Sequence, residues 1–422
     1  MNGPRRVLEI LVLGTCAFIL TGAILTLILP PGDTPSEGNP LWRLILSVSY
    51  LSVAALLIPY YRETLYVVRR NWFLAALVLL AFVSCLWAEM PALVLRRSVA
   101  VCGTTLLGIA LAVRLSLEEQ LRLLSWLFRI FTVLSLACIF LLPSYGLSSD
   151  KAAHEWRGVF GYKNVLGSMM AMSVLVEWQL PANTRFSRTV NRLALLLSAV
   201  LLVFSGSITP AVALGGSIVL TEIYKVASQR LRIPLYATVL AILLVVSSGM
   251  MMLGVNSDAI ARAVGRSSDL TGRTEIWSWT VSFIFERPIL GYGYSGFWVG
   301  ATAASAVVDQ AMGTMIMYSH NGYLETLLTL GVVGLVLTLG FLGTAVNRAY
   351  NWAECEQSRA GLWPLSFLLF CLLHNLGEST ILFQDLQWAI CVAIVASTDP
   401  ALFAPYEEQE DEILLEPRSE LV

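Results

Sequence analysis

Charge is the scarcest commodity in this chain. Only 13% of its 422 residues are charged, about half the share of an ordinary soluble domain. With 57% hydrophobic residues and a mean hydropathy of +0.72, a soluble globular protein is excluded. The net charge of -2, with no basic cluster and no RNA-type aromatic motif, gives no footprint for nucleic acid. The seven cysteines are odd in number, scattered, and mostly inside apolar runs. Without C-x-x-C spacing they read as small buried hydrophobes, not as a disulfide framework or a metal site. No Walker motif, Asp-x-Asp pair or metal-ligand cluster occurs, which disfavours nucleotide hydrolysis and metal-dependent transfer from a sugar nucleotide. No metal and no cofactor is expected. The run Gly291-Tyr-Gly-Tyr-Ser-Gly296 lacks the flanking strand and βαβ unit that a nucleotide loop requires. It reads as a turn leaving a helix after Pro288.

What the chain has in abundance is apolar runs of about 20 residues, each enough to cross a bilayer as helix. The reading is all-α: a polytopic membrane protein of about twelve transmembrane helices with one large outward-facing loop, periplasmic if the membrane is a bacterial inner membrane. The spans fall near 7–29, 41–60, 72–88, 94–113, 123–143, 164–180, 192–208, 210–227, 233–254, 321–347, 361–377 and 380–398. Residues 1–254 then hold the first nine, 255–318 form the large loop with an interfacial helix, 319–400 hold the last three, and 401–422 make an acidic cytoplasmic tail. Arg5-Arg6 before a long apolar run, with no small-x-small cleavage site, reads as a retained signal anchor. Fifteen cations, Arg5 to Arg359, gather on one side of this arrangement and only about six in the short loops opposite. The positive-inside rule makes both termini cytoplasmic and turns the large loop outward. Between the seventh and eighth spans Ser207-Ile-Thr-Pro210 makes a tight turn, since proline can end one helix and open the next.

Ionisable and polar residues at span ends are expensive, so each is a functional candidate. Four clusters lie at outer ends: Trp87 to Pro91 with Arg96 and Arg97; Arg157 to Lys163 and Asn164; Ser205, Ser207 and Thr209; and His320, Asn321 and Glu325. The loop adds Arg273. Thr271 is placed to cap a helix running through Ile276, Trp277 and Phe283 to Pro288, with Glu275 in its first turn. The apolar and aromatic surface of that helix suits the membrane interface. An arginine at its start can fork two hydrogen bonds onto phosphate oxygens; the alternative is a surface arginine paired with Asp269 or Glu275. Ser319 reads as an N-cap that leaves His320 in the first helical turn. A histidine there can act as a general base at neutral pH, or simply sit at the interface, satisfied by backbone or a lipid headgroup. His374-Asn375 with Glu378 forms a second His-Asn pair, a rival to the first. The remaining histidine, His154, reads as solvated.

Taken together, Gly272-Arg-Thr-Glu-Ile-Trp277, Pro288-Ile-Leu-Gly-Tyr-Gly293, His320-Asn-Gly-Tyr-Leu-Glu325 and Gly331-Val-Val-Gly334 resemble, in order, the signature block of the O-antigen ligase and polysaccharide polymerase superfamily. Trp87, Pro91, Arg97 and the Arg157–Asn164 stretch add to the resemblance, which spans roughly residues 87–345. The stretch Arg157-Gly-Val-Phe-Gly-Tyr-Lys-Asn164 is most similar to exopolysaccharide polymerases of the type called ExoQ, with Tyr162 where those carry histidine. Ligases usually carry an arginine where this chain has Ile208, so Lys163 or Arg157 is left to supply a second phosphate-binding cation.

The resemblance implies a GT-C-like inner-membrane glycosyltransferase acting on the periplasmic side. Its donor would be an undecaprenyl-diphosphate-linked oligosaccharide and its acceptor a glycan hydroxyl, with a chain-length regulator and a flippase as partners. Arg273 and His320 become the catalytic pair, the first neutralising the departing diphosphate and the second taking the acceptor proton, with Glu325 or Asn321 orienting the ring. Arg157, Lys163, Asn164, Ser205, Ser207, Asn321 and Glu325 become candidates for substrate binding. Inversion at the anomeric carbon follows from a single displacement. Polymerisation of repeat units is the leading expectation, and transfer of finished glycan to lipid A core or protein the alternative. A transporter is the rival of another class; such folds often place broken helices at mid-membrane, whereas the polar clusters here sit at the outer ends.

Overall fold

The computed structural model describes residues 3–23, 39–148, 155–226, 269–299, 303–356 and 358–399. The expected span near 233–254, the loop up to 268 and the acidic tail lie outside the described residues. Proline or a capping side chain opens many of the helices. Prolines stand at the first turn of α1 (Pro4–Leu20), α2 (Pro40–Leu57) and α5 (Pro91–Arg114), where the missing N–H costs nothing. Between α2 and α5 lie α3 (Tyr61–Arg70) and α4 (Trp72–Val83). Ser116 and Glu119 form a reciprocal capping box on α6 (Leu117–Leu141). After α7 (Lys163–Gln179), Thr184 and Ser187 do the same for α8 (Arg185–Ser205). Gly206, left-handed at φ 67, ends α8, and α9 (Ile208–Val226) follows at once with Pro210 in its first turn. The tight turn between these helices thus lies at Gly206 and Ser207, earlier than expected, with Ile208 to Pro210 already helical.

The chain continues through α10 (Asp269–Glu286), α11 (Ala303–Met312), α12 (Gly322–Cys355), α13 (Trp363–His374) and α14 (Leu386–Ser397). Among the described residues, five helical segments are long and apolar enough to cross a membrane: Pro40–Arg70, Pro91–Arg114, Leu117–Leu141, Arg185–Ser205 and Gly322–Cys355. Helices α13 and α14 are apolar and buried on nearly every side, the signature of the centre of a bundle. The large apolar residues on the outside of α2, α8 and α9, such as Leu44, Leu51, Val203 and Val212, are exposed. That surface is what a lipid-facing wall requires.

One end of the bundle is tied by ion pairs. Arg114 reaches Glu9 at 2.7 Å, Arg6 reaches Glu119 at 2.7 Å, and Arg70 and Arg348 both reach Asp399 at 3.2 Å. Nearby, Arg129 forks onto Glu177 and also donates to Asn191, joining α6, α7 and α8. This buried set was not among the expected polar clusters. The opposite end, where α5, α7 and α12 begin, carries the candidate site.

There α12 is broken. Gly331 sits at φ 65 and ψ -166 inside it, and the turn after α10 fills the gap. Tyr292 and Gly293 donate their N–H groups to Leu328 and Thr329 carbonyls at 3.0 and 2.9 Å, and Val332 donates to the Pro288 carbonyl at 2.8 Å. Backbone groups orphaned by the break are thus satisfied. A Cβ at Gly331 would stand 2.1 Å from the Ile289 carbonyl oxygen, so the position admits glycine on both conformational and steric grounds.

Candidate active site

The site is built around a carboxylate that the sequence reading ranked low. Glu378, in the loop between α13 and α14, accepts hydrogen bonds from Arg273 Nη2 at 3.0 Å and Asn164 Nδ2 at 3.1 Å on one oxygen. Its other oxygen faces His320 Nδ1 at 3.4 Å. Arg273 Nη1 donates to Thr209 Oγ1 at 2.8 Å, and Ser207 Oγ donates to Asn164 Oδ1 at 3.1 Å. Four segments far apart in sequence therefore meet: the starts of α7, α9 and α10, and the entry to α12. Gly377 lets them close, because a Cβ there would stand 2.9 Å from Thr209 Oγ1 and 3.1 Å from Arg273 Nη1.

Burial pushes the Glu378 carboxyl up, but the His320 hydrogen bond and the Arg273 charge outweigh it, and the net shift is down from 4.5. An ionised Glu378 can only accept, so Nδ1 of His320 carries the proton and Nε2 is left as an acceptor. The guanidinium of Arg273 keeps further N–H groups for an anion. A histidine held by a carboxylate at Nδ1, beside an arginine at a span end, presents Nε2 where it can take a proton while charge develops on a phosphate.

Several local expectations need correction. Backbone is already helical at Asp269, so Thr271 lies inside α10 and is not its cap. Arg273 pairs with Glu378 and not with Glu275; the side chain of Asp269 lies outside the described residues. Ser319 does not cap α12; Asn321 does, its Oδ1 accepting from Tyr323 and Leu324 N–H. His320 consequently lies before the helix, with a left-handed φ of 54. Asn321 is occupied as a cap, and Glu325 turns away to Ser319 N–H at 2.8 Å and Trp298 Nε1 at 2.9 Å. Neither orients the His320 ring; Glu378 does. The His374-Asn375-Glu378 segment is therefore part of the same site and no rival to it. His374 is buried with Nε2 3.0 Å from Ser168 Oγ, and the Asn375 and Glu378 carbonyls both accept from Gly322 N–H at 2.9 Å.

Of the other candidates, Ser205 is spent on the Leu202 carbonyl at 2.7 Å, the usual use of a hydroxyl near a helix end. Arg157 donates to Ser148 Oγ at 2.9 Å and Lys163 pairs with Glu155 at 3.0 Å. The upstream motif serves the turn after α10. Trp87 Nε1 donates to the Leu290 carbonyl at 3.2 Å, Ser84 Oγ accepts from Tyr294 N–H at 2.8 Å, and Arg97 donates to the Ser295 carbonyl.

Arg273, His320, Asn164 and Glu378 thus gather at one end of an apolar helical bundle. Known proteins share part of this chain. The family model described as O-antigen ligase (Wzy_C) matches residues 193–339. The chain is also 33% identical over 91 residues to the exopolysaccharide production protein ExoQ of Rhizobium meliloti (strain 1021), a match covering 21% of this chain and 21% of that protein. These matches bear out the resemblance to the O-antigen ligase and polysaccharide polymerase superfamily. The alignment spans about a fifth of that relative's length. Arg273 and His320 fall within the family-matched stretch, whereas Asn164 and Glu378 fall outside it.

Proposed function

We propose that this chain is an inner-membrane glycosyltransferase that polymerises repeat units carried on undecaprenyl diphosphate, with its active site on the periplasmic side and both termini in the cytoplasm. The observation that carries the reading is the convergence of Arg273, His320 and Asn164 on Glu378. In the reaction, a hydroxyl oxygen of the acceptor glycan attacks the anomeric carbon of the donor from the face opposite the diphosphate. The hydroxyl proton passes to Nε2 of His320, and the C–O bond to the diphosphate breaks with its electron pair leaving on the phosphate oxygen. Arg273 holds the charge that builds there, the kind of electrostatic stabilisation that dominates such transfers. Glu378 stabilises the imidazolium as it forms. One displacement inverts the anomeric configuration, and neither nucleotide nor metal enters the scheme.

The test uses the purified chain with an undecaprenyl-diphosphate-linked repeat unit from its own host, and resolves the glycan products by size. Longer lipid-linked chains from the wild type, lost in both His320→Ala and Arg273→Ala, are expected. Absence of elongation with the correct donor would overturn polymerisation. Release of lipid diphosphate only when lipid A core or a protein acceptor is added would make the chain a ligase.

A further inference from the structure

Among the described residues, three that are not glycine adopt a left-handed backbone: Ser295 (φ 50), His320 (φ 54) and Leu382 (φ 52). They come from three separate loops, yet they gather at one place. A cavity of about 30 Å³ is lined by Ser295 and Leu382 themselves, and by Tyr318, Ser379 and Glu325. Tyr318 packs against the His320 ring at a tilt of 56°, with centroids 4.4 Å apart, and Ser379 follows Glu378 directly. Left-handed φ at residues that carry a Cβ persists only where the surroundings impose it, and it concentrates at binding and reaction sites. The surroundings here do impose it. Arg97 grips the Ser295 carbonyl, Tyr294 Oη donates to the Leu382 carbonyl at 2.6 Å, and Ser379 Oγ accepts from Asn321 N–H at 3.1 Å.

The wall of this cavity carries a carboxylate with acceptor capacity to spare. Both N–H donors that reach Glu325, from Ser319 and Trp298, go to the same oxygen, Oε2. The Ser319 hydroxyl also reaches the carboxylate, and lone pairs on Oε1 remain for a further donor. On the measure by which one water needs about 10–15 Å³, the cavity takes a hydroxyl or hydroxymethyl group and falls far below a sugar ring. Met317 lines the cavity too and is 62% exposed, so a ring outside can place one substituent within.

We infer that this cavity seats the acceptor glycan: Glu325 Oε1 accepts a hydrogen bond from a hydroxyl of the acceptor sugar other than the attacking one, while Tyr318 packs against the ring beside His320. The inference rests on the glycosyl-transfer reading and assigns Glu325 to acceptor recognition, separately from the donor-binding Arg273. A hydroxyl donating to a carboxylate fixes which acceptor oxygen faces Nε2 of His320, and so selects the linkage.

The experiment uses the full chain in detergent with the lipid-diphosphate donor and, as acceptor, a repeat-unit oligosaccharide bearing a simple alkyl aglycone. Acceptors deoxygenated at single positions accompany it. Glu325→Gln is expected to raise the acceptor KM about ten- to a hundredfold, what a hydrogen bond to a charged group carries, with donor binding unchanged. One deoxy acceptor should lose a similar factor with wild type and little more with Glu325→Gln. Because Oε2 also braces Ser319 and Trp298, Met317→Trp serves as a second variant. It narrows the mouth without touching those bonds, and should raise acceptor KM while sparing donor binding. An unchanged acceptor KM in Met317→Trp, or deoxy acceptors that discriminate equally in wild type and Glu325→Gln, would overturn the assignment. Failure of the wild type to transfer to any acceptor would instead sink the glycosyl-transfer reading, and this inference with it.

Discussion

Replacing Glu378 by glutamine tests the centre of the site most directly. The carboxylate serves three donors with two oxygens, at 3.0, 3.1 and 3.4 Å. An amide offers one oxygen and one NH₂, so it can satisfy Arg273 and Asn164, or His320, but not all three. Either orientation sets an NH₂ against another donor. If the oxygen stays with Arg273, the ring of His320 loses the partner that holds the proton on Nδ1, and the free base at Nε2 is no longer assured. General-base catalysis contributes about 10²–10⁴ in rate, so turnover should fall about a hundredfold or more. Donor binding should hold or tighten, because a carboxylate competing for the guanidinium has been neutralised. Stability should drop as well. Glu378 keeps 7% of its side-chain surface exposed and Arg273 20%, and removing one partner of a buried pair costs about 3–5 kcal/mol. Partial exposure of the arginine puts Glu378→Ala at about 3 kcal/mol, with the isosteric glutamine costing less. The assay is single-turnover transfer from the lipid-linked donor, beside thermal melting in detergent. Turnover of Glu378→Gln equal to wild type per folded molecule would refute the argument.

Gly331→Ala should destabilise by roughly 2–4 kcal/mol, combining a left-handed φ with a backbone clash; a melting temperature equal to wild type would contradict the broken-helix account. Arg97→Ala leaves the Ser295 carbonyl without its cation and should cost about 1–3 kcal/mol, read by denaturant or thermal unfolding. It should also weaken acceptor use, since Ser295 lines the cavity. The pH dependence has a defined sign. Glu378 has its carboxyl held below the ordinary 4.5 in the fold, so its contribution is fully present above that value and is lost as pH falls through the folded one. The melting difference between wild type and Glu378→Gln should therefore be flat near neutral pH and shrink below 4.5. A difference that grows on acidification would reverse the assigned shift.

What could be read from the sequence was what the chain states locally. Helices followed from apolar run length, and proline marked the turn between α8 and α9, which left-handed Gly206 makes. Arg273, His320, Asn164 and Ser207 stood out because each is a polar group placed next to a span. The cap of α12 was misplaced by two residues, since Ser319, Asn321 and the glycine after it all satisfy local capping rules. What decides between them is tertiary. Ser319 N–H is taken by Glu325, and Gly322 N–H is held by two carbonyls from the loop after α13. Glu378 had only a weak local signal, its place beside a second His-Asn pair that reads as a rival to the first. It is one carboxylate in a polar loop, and its role comes only from α7, α9, α10 and the entry to α12 arriving at the same point.

That distinction explains why the sequence motifs come in pairs that no spacing rule connects. Trp87 and Arg97 hold Leu290 and Ser295, and Gly331 opens α12 so that the turn from Pro288 to Gly293 can enter it. Trp87, Arg97 and Gly331 line no part of the acceptor cavity, yet they fix where α10 ends. The same helix carries Arg273 at its other end, about 20 Å away along the axis at 1.5 Å per residue. A rigid helix pinned at Pro288 can pivot little at Arg273. The upstream tryptophan and arginine thus belong to the catalytic argument as anchors: they set the position from which the guanidinium reaches Glu378 and Thr209 together.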